Sequence, residues 1–319
     1  MLAEGAKVMA VVKADAYGHG LERCARALAG ADAFGVASIA DGLRLRAAGH
    51  RQRIVVLSGP DAASDLAEMR RLQLEAVVHH ESQLAMLEAE QGGDPLKVWL
   101  NLDTGMHRLG FPPGRAHAMR ARLAALPAVD KARQTECFRN APQDIPGERA
   151  LSNSAGLLGW PQARENWVRI GGLLYGLSVA TGKTGADFGF APAMTLTTRL
   201  VAVNHIARGE RVGYGATWEC PEDMRIGVAA IGYGDGYPRS APSGTPVRVG
   251  DAPVAVIGRV SMDLLTLDLR QAPNARVGDE VVLWGPQLPV EVIAQHANTI
   301  SYELTCGVTR RVLFAEDGG

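Results

Sequence analysis

Neither an excess of charge nor a long apolar run marks this sequence. Lysine and arginine total 33 against 34 aspartates and glutamates, a net charge of −1. A chain so balanced has no electrostatic footprint for nucleic acid or an acidic membrane surface. No apolar stretch approaches the roughly 18 residues of a membrane span. The first residues, MLAEGAKVMAVVKADAYGHG, have no signal-peptide cleavage pattern. Cysteines are few and far apart: Cys24, Cys137, Cys220 and Cys306, with no CxxC. That argues against a zinc site or a disulfide framework and suits a reducing cytoplasm. There is no internal repeat and no low-complexity stretch. What remains is an ordinary globular composition, 47% hydrophobic and 21% charged. The 319 residues suggest two domains.

The first 190 residues alternate between two patterns. KVMAVVKA is a continuous apolar run, as in a strand buried on both faces, and LERCARALAGA repeats apolar positions at helical spacing. AFGVASI precedes ADGLRLRAAG, RIVVLSG precedes DAASDLAEMRRLQ, LEAVVHH precedes ESQLAMLEAE, and LKVWLNLD precedes GRAHAMRARLAAL. WVRIGGLLYGL reads as a further buried strand and loop. Serial βα units predict a parallel sheet with helices outside, and about seven of them favour a (β/α)8 TIM-like barrel over an open sheet. After Pro192 the pattern changes to short strands with Gly-Asp, Gly-Glu and Pro-Ser-Gly turns. Residues 1–190 therefore read as an α/β barrel and 191–319 as a mainly β domain. The stretch DKARQTECFRNAPQDIPGERA, 130–150, falls where the barrel needs a strand yet has almost no apolar run.

Four segments carry candidate chemistry. Lys13 ends a barrel strand, where active sites form; partial burial there favours a neutral amine able to form a Schiff base. A lone lysine at a strand end ordinarily snorkels into water. SNSAGL and RIGG put glycine and small residues at βα loops, where backbone N–H groups can cradle a phosphate; singly, they are also plain turn glycines. Arg108, in LDTGMHRLGF, can clamp a carboxylate bidentately. Tyr214 is flanked by Gly213 and Gly215, which present it on a tight loop; as a base, it needs a neighbouring cation to lower its pKa.

Taken together, AVVKADAYGHG, NLDTGMHRLGF, SNSAGLL, VRIGGLLYGL, RVGYGATW, IGYGDGYPR, GRVSMD and TISYEL resemble the alanine racemase family and follow its order. The resemblance implies a pyridoxal 5'-phosphate (PLP) enzyme of the cytoplasm: a PLP-binding barrel, a β domain and a head-to-tail homodimer with shared sites. It implies that Lys13 carries PLP and is the base on one face of the substrate Cα, while Tyr214 of the partner chain is the base on the other. Arg169 would hydrogen-bond the pyridine nitrogen. Tyr17, Ser154, Gly171, Gly172 and Tyr302 would hold the phosphate, with Asn153 beside it. Arg108 and the N–H of Met262 would meet the substrate carboxylate, and Tyr233 would line the entrance. The product would be D-alanine for peptidoglycan, or the D-isomer would be degraded.

Three departures from the family pattern bear on these expectations. Lys13 comes almost at once, so the barrel is expected to lack the family's usual first segment. Cys137 stands where the family has a histidine linking the tyrosine to the pyridine-binding arginine, and a thiol hydrogen-bonds only weakly. Asn101 stands where many members carry a carbamylated lysine behind the substrate-binding arginine; a bound anion such as chloride is one replacement. Two alternatives stay open at this level: a PLP-binding homologue with little turnover, and a racemase for serine, lysine or arginine.

Overall fold

The computed structural model describes residues 5–90, 93–127, 129, 147–160 and 163–316. The chain divides into two compact units, Met1–Leu174 and Tyr175–Gly319.

In the first unit, the apolar runs become strands because both faces are covered. They are β1 (Lys7–Val11), β2 (Ala33–Val36), β3 (Arg53–Val56), β4 (Glu75–Val78), β5 (Val98–Leu100) and β6 (Trp167–Ile170). All pair in parallel in the order β5-β4-β3-β2-β1-β6. The first strand thus lies beside the last, which curls the sheet. Parallel bridges extend it at both edges, from Leu96 to Val129 and from Ala150 to Trp167. The expected strand in 130–150 is met at Ala150; residues 130–146, with Cys137, lie outside the described residues.

Among the described residues, this unit has one short turn and six α-helices: α1 (Lys13–Tyr17), α2 (Leu21–Ala27), α3 (Ile39–Ala47), α4 (Ala63–Arg71), α5 (Glu81–Ala89), α6 (Ala116–Ala125) and α7 (Ser154–Gly159). Each buries its apolar stripe, as Leu66 and Met69 of α4 do. Inside the sheet, Met9, Ala33, Val55, Trp99, Ala150 and Trp167 pack as one cluster. Its floor, at the strand starts, is ionic. Arg53 forks onto Glu75 with two 2.6 Å bonds, and Trp99 Nε1 donates to Glu75 at 2.7 Å. The Arg53 guanidinium stacks 4.8 Å from the Trp167 ring. Full pairing is what makes a buried charge tolerable there.

The second unit is a closed antiparallel barrel in the order β10-β13-β12-β11-β14-β7. Its strands are β7 (Leu196–Ile206), β10 (Met224–Ala229), β11 (Pro246–Val249), β12 (Ala252–Ile257), β13 (Leu265–Asp268) and β14 (Glu280–Trp284). A two-stranded ribbon, β8 (Arg211–Val212) with β9 (Trp218–Glu219), projects a loop, and helices α8 (Val290–His296) and α9 (Ser301–Gly307) follow. Closure leaves no free sheet edge in the barrel. Among the described residues no helix is long and apolar enough to cross a membrane.

Candidate active site

The strand ends of the first unit carry the expected lysine in an unusual setting. Directly after β1, residues Ala14, Asp15, Ala16 and Tyr17 have φ of 53°, 53°, 55° and 56°. The turn α1 is therefore left-handed, closed by Ala16 N–H to Val12 carbonyl at 3.0 Å and Gly18 N–H to Ala14 carbonyl at 3.0 Å. Such a conformation costs an L-residue about 1–2 kcal/mol. Four in succession persist only because their surroundings fix them. Asp15 is one fixture: its Oδ1 accepts from Leu21 N–H at 3.1 Å and from Arg44 Nη2 at 2.8 Å. The turn puts Lys13 at one end and Tyr17 at the other. Lys13 is exposed, whereas the sequence suggests partial burial. It stands two residues beyond the last strand residue, so strand packing covers the valines before it and not the amine.

Tyr17 reaches the loop after β6. A side chain on Gly171 would collide with the Tyr17 hydroxyl, so the two can adjoin only because Gly171 has none. The Gly171 N–H donates to Ser154 Oγ at 2.9 Å, a buried bond. Ser154 opens α7, and Asn153 caps that helix by accepting from Gly156 N–H at 2.9 Å. Two hydroxyls and a glycine amide thus converge where a side chain is excluded. Neutral hydroxyls gathered beside a glycine-containing loop suit a phosphate. Gly172 is next in the chain. Arg169, two residues before Gly171, lies beside Met9 of β1 and donates from Nη1 to the Ala150 carbonyl at 2.6 Å.

Arg108 stands apart from this cluster, on the loop after β5. Leu102 bridges Phe111 in parallel, which closes the loop at its base. With Asp61, His79, His80, Gln83 and Asp103, Arg108 lines a cavity of about 500 Å³. Asp103 organises the loop. Its Oδ1 accepts from Gly105 N–H and His107 N–H, both at 3.0 Å. Those two bonds hold its carboxyl below the usual carboxylate range, with the Gly105 N–H first among the causes. Sequence reasoning missed Asp103. An aspartate two residues before a glycine, accepting from the backbone ahead of it, is an Asx-turn signature that was there to be read. It also missed Asp15 and Arg44, for which local sequence holds no signal: the pair spans 29 positions.

In the second unit, Tyr214 is 71% exposed at the tip between β8 and β9. Gly213 and Gly215 beside it have φ of 77° and 73°. The glycine-flanked loop expected from sequence is therefore there, and it holds the phenol in water. Tyr233 and Met262 adjoin: Tyr233 N–H donates to Ser261 carbonyl at 3.0 Å and Gly234 N–H to Met262 carbonyl at 2.8 Å. Tyr302, on α9, is half-buried, and burial, followed by the charge of Glu291, pushes its phenol above its ordinary value.

Comparison with known proteins decides the family. The N-terminal domain model of alanine racemase matches residues 1–179, and the C-terminal domain model matches 193–315.

The chain belongs to the alanine racemase family.

An alanine racemase of Nitrosococcus oceani is 50% identical over 98% of this chain and 92% of its own length. One of Shewanella baltica is 46% identical over 97% and 92%. The crystal structure of the biosynthetic alanine racemase of Pseudomonas aeruginosa superposes with a TM-score of 0.92 at 42% identity, covering 98% of this chain and 92% of that one. That of Acinetobacter baumannii gives 0.88 at 34%, covering 97% and 92%. The family is PLP-dependent, an isomerase class acting on amino acids, and its fold, a curled parallel sheet followed by a mainly β domain, is the one described above.

Proposed function

We propose that this chain interconverts L- and D-alanine with PLP, as a homodimer whose sites are each completed by the partner chain. The observation that carries the reading is the convergence of Tyr17, Ser154 and Gly171 on the strand-end face that also carries Lys13. In this reading Tyr17, Ser154, Gly171, Gly172 and Tyr302 bind the phosphate, Asn153 supports them, and Lys13 binds the cofactor covalently. When bound, PLP supplies an electron sink that makes the substrate Cα proton removable.

The residues do the rest. A proton must leave one face of Cα and return on the other, so two groups are required. Lys13 Nζ exchanges the proton on one face. Tyr214 Oη of the partner chain exchanges it on the other, and its exposure here fits a group that meets its site across a subunit boundary. Arg169 would donate a hydrogen bond to the pyridine nitrogen, and a guanidinium there would keep its proton. Arg108 and the Met262 N–H hold the substrate carboxylate, and Tyr233 narrows the approach. Asn101 replaces a carbamate-bearing lysine without supplying its charge. Alanine is favoured over larger substrates by the relatives' names. We assign the reaction to the cytoplasm, where its D-alanine serves the cell wall or its D-substrate is consumed. The test is polarimetric: purified protein with PLP abolishes the optical rotation of L-alanine and of D-alanine. Persistence of rotation in a PLP-loaded sample would refute the assignment.

A further inference from the structure

We propose that Asp103 is a positioning residue for Arg108, holding the 103–110 loop in the shape that offers the guanidinium to an anionic ligand. The inference rests on the reading of Arg108 as the substrate-carboxylate residue.

The loop is closed at two levels. At its base, Asp103 N–H donates to the Phe111 carbonyl at 2.8 Å and Phe111 N–H to the Asn101 carbonyl at 2.9 Å. Gly110, with φ of 114°, packs so closely that an added side chain would meet the Asp103 nitrogen at 2.6 Å. That base fixes where the loop starts and ends, but not the course of the residues between. The interior is set by one side chain. Both backbone N–H groups captured by Asp103 Oδ1, those of Gly105 and His107, lie on the segment leading to Arg108. His107 also sits 3.1 Å from Oδ2 through Nδ1 and takes a φ of 55°, a left-handed conformation that sets the direction in which the chain enters Arg108. The low carboxyl pKa agrees with a charged acceptor engaged by backbone donors.

No comparable support reaches Arg108 from Asn101, whose amide carries no charge. The fixed anion of this loop is thus Asp103, two residues along, and it acts on the backbone and not on the guanidinium. Arg108 is exposed and lines the cavity together with Asp103. A loop held this way is pre-organised, so ligand binding need not order it.

The experiment is a double-mutant cycle on the PLP-loaded dimer, reading KM and kcat for L-alanine. Asp103→Ala is expected to raise KM on the order of tenfold with kcat little changed. Asp103→Asn keeps an acceptor oxygen and is expected to fall between. Arg108→Ala is expected to raise KM further, and Asp103→Ala combined with Arg108→Ala to be no worse than Arg108→Ala alone, since the aspartate then has nothing to position. Additive effects would overturn the proposal, because they would make Asp103 a separate contributor. So would an unchanged KM in Asp103→Ala and Asp103→Asn beside a large rise in Arg108→Ala. An unchanged KM in Arg108→Ala would instead overturn the role given to Arg108, and this inference with it. If Asp103→Ala fails to fold, Asp103→Asn carries the same cycle.

Discussion

The Tyr17 hydroxyl occupies the space into which a side chain on Gly171 would point. The contact joins two loops that are far apart in sequence, and the hydroxyl keeps this place only while residue 171 has no side chain. Gly171→Ala is therefore expected to displace the tyrosine and weaken PLP binding on the order of tenfold or more, a lost hydrogen bond plus steric strain. Titration of the apo-protein with PLP measures it. The melting temperature of the apo-protein should change little, because the clash sits at a loop.

The left-handed turn at 14–17 reverses the usual effect of glycine. Ala14→Gly removes a backbone cost of about 1–2 kcal/mol and adds unfolded-state freedom worth about 0.4–1 kcal/mol. The expected outcome is no loss of stability, or a slight gain, in urea unfolding. Ala118→Gly, on the exposed face of the right-handed α6, is expected to cost about 1 kcal/mol in the same assay.

The sequence made the architecture legible because burial on both faces leaves unbroken apolar runs, as in KVMAV and RIVV. The motifs were legible where a glycine answers a local backbone demand, as Gly213 does with φ of 77°; Gly171 answers instead to Tyr17, far away in sequence. What was not legible is what depends on contacts distant in sequence. Lys13 was expected to be partly buried and is exposed. The α1 turn contains no glycine to announce its handedness; its fixture, Arg44, comes from another helix. Asp103 is the exception: its partners, the N–H groups of Gly105 and His107, are local, and the Asp-x-Gly spacing marks the turn.

Tyr302 should remain a hydrogen-bond donor into alkaline solution. Its phenol is shifted upward by burial and by Glu291. The neutral form is the one the fold favours, so its contribution to stability is complete below the ordinary phenol value near 10. That contribution is lost as pH rises through the raised folded value. Subtracting the ultraviolet pH titration of Tyr302→Phe from that of the unmutated protein should leave one phenol ionising later than free tyrosine.

The floor of the curled parallel sheet should govern stability and not chemistry. Glu75→Ala strands Arg53 between two tryptophan rings, at an expected cost of about 3–5 kcal/mol. Chemical unfolding reads the loss. PLP affinity, measured where the variant is still folded, should match that of the unmutated protein, as strand starts in such barrels carry stability and strand ends carry function.

The central claim, that Lys13 and Tyr214 of different chains serve one site, is tested most directly by mixing two dead chains. Lys13→Ala and Tyr214→Phe are each expected to racemise alanine at a negligible rate. Co-expressed, they form hybrid dimers with one intact site, and random pairing should restore about a quarter of normal activity. No recovery in verified hybrid dimers would contradict the account.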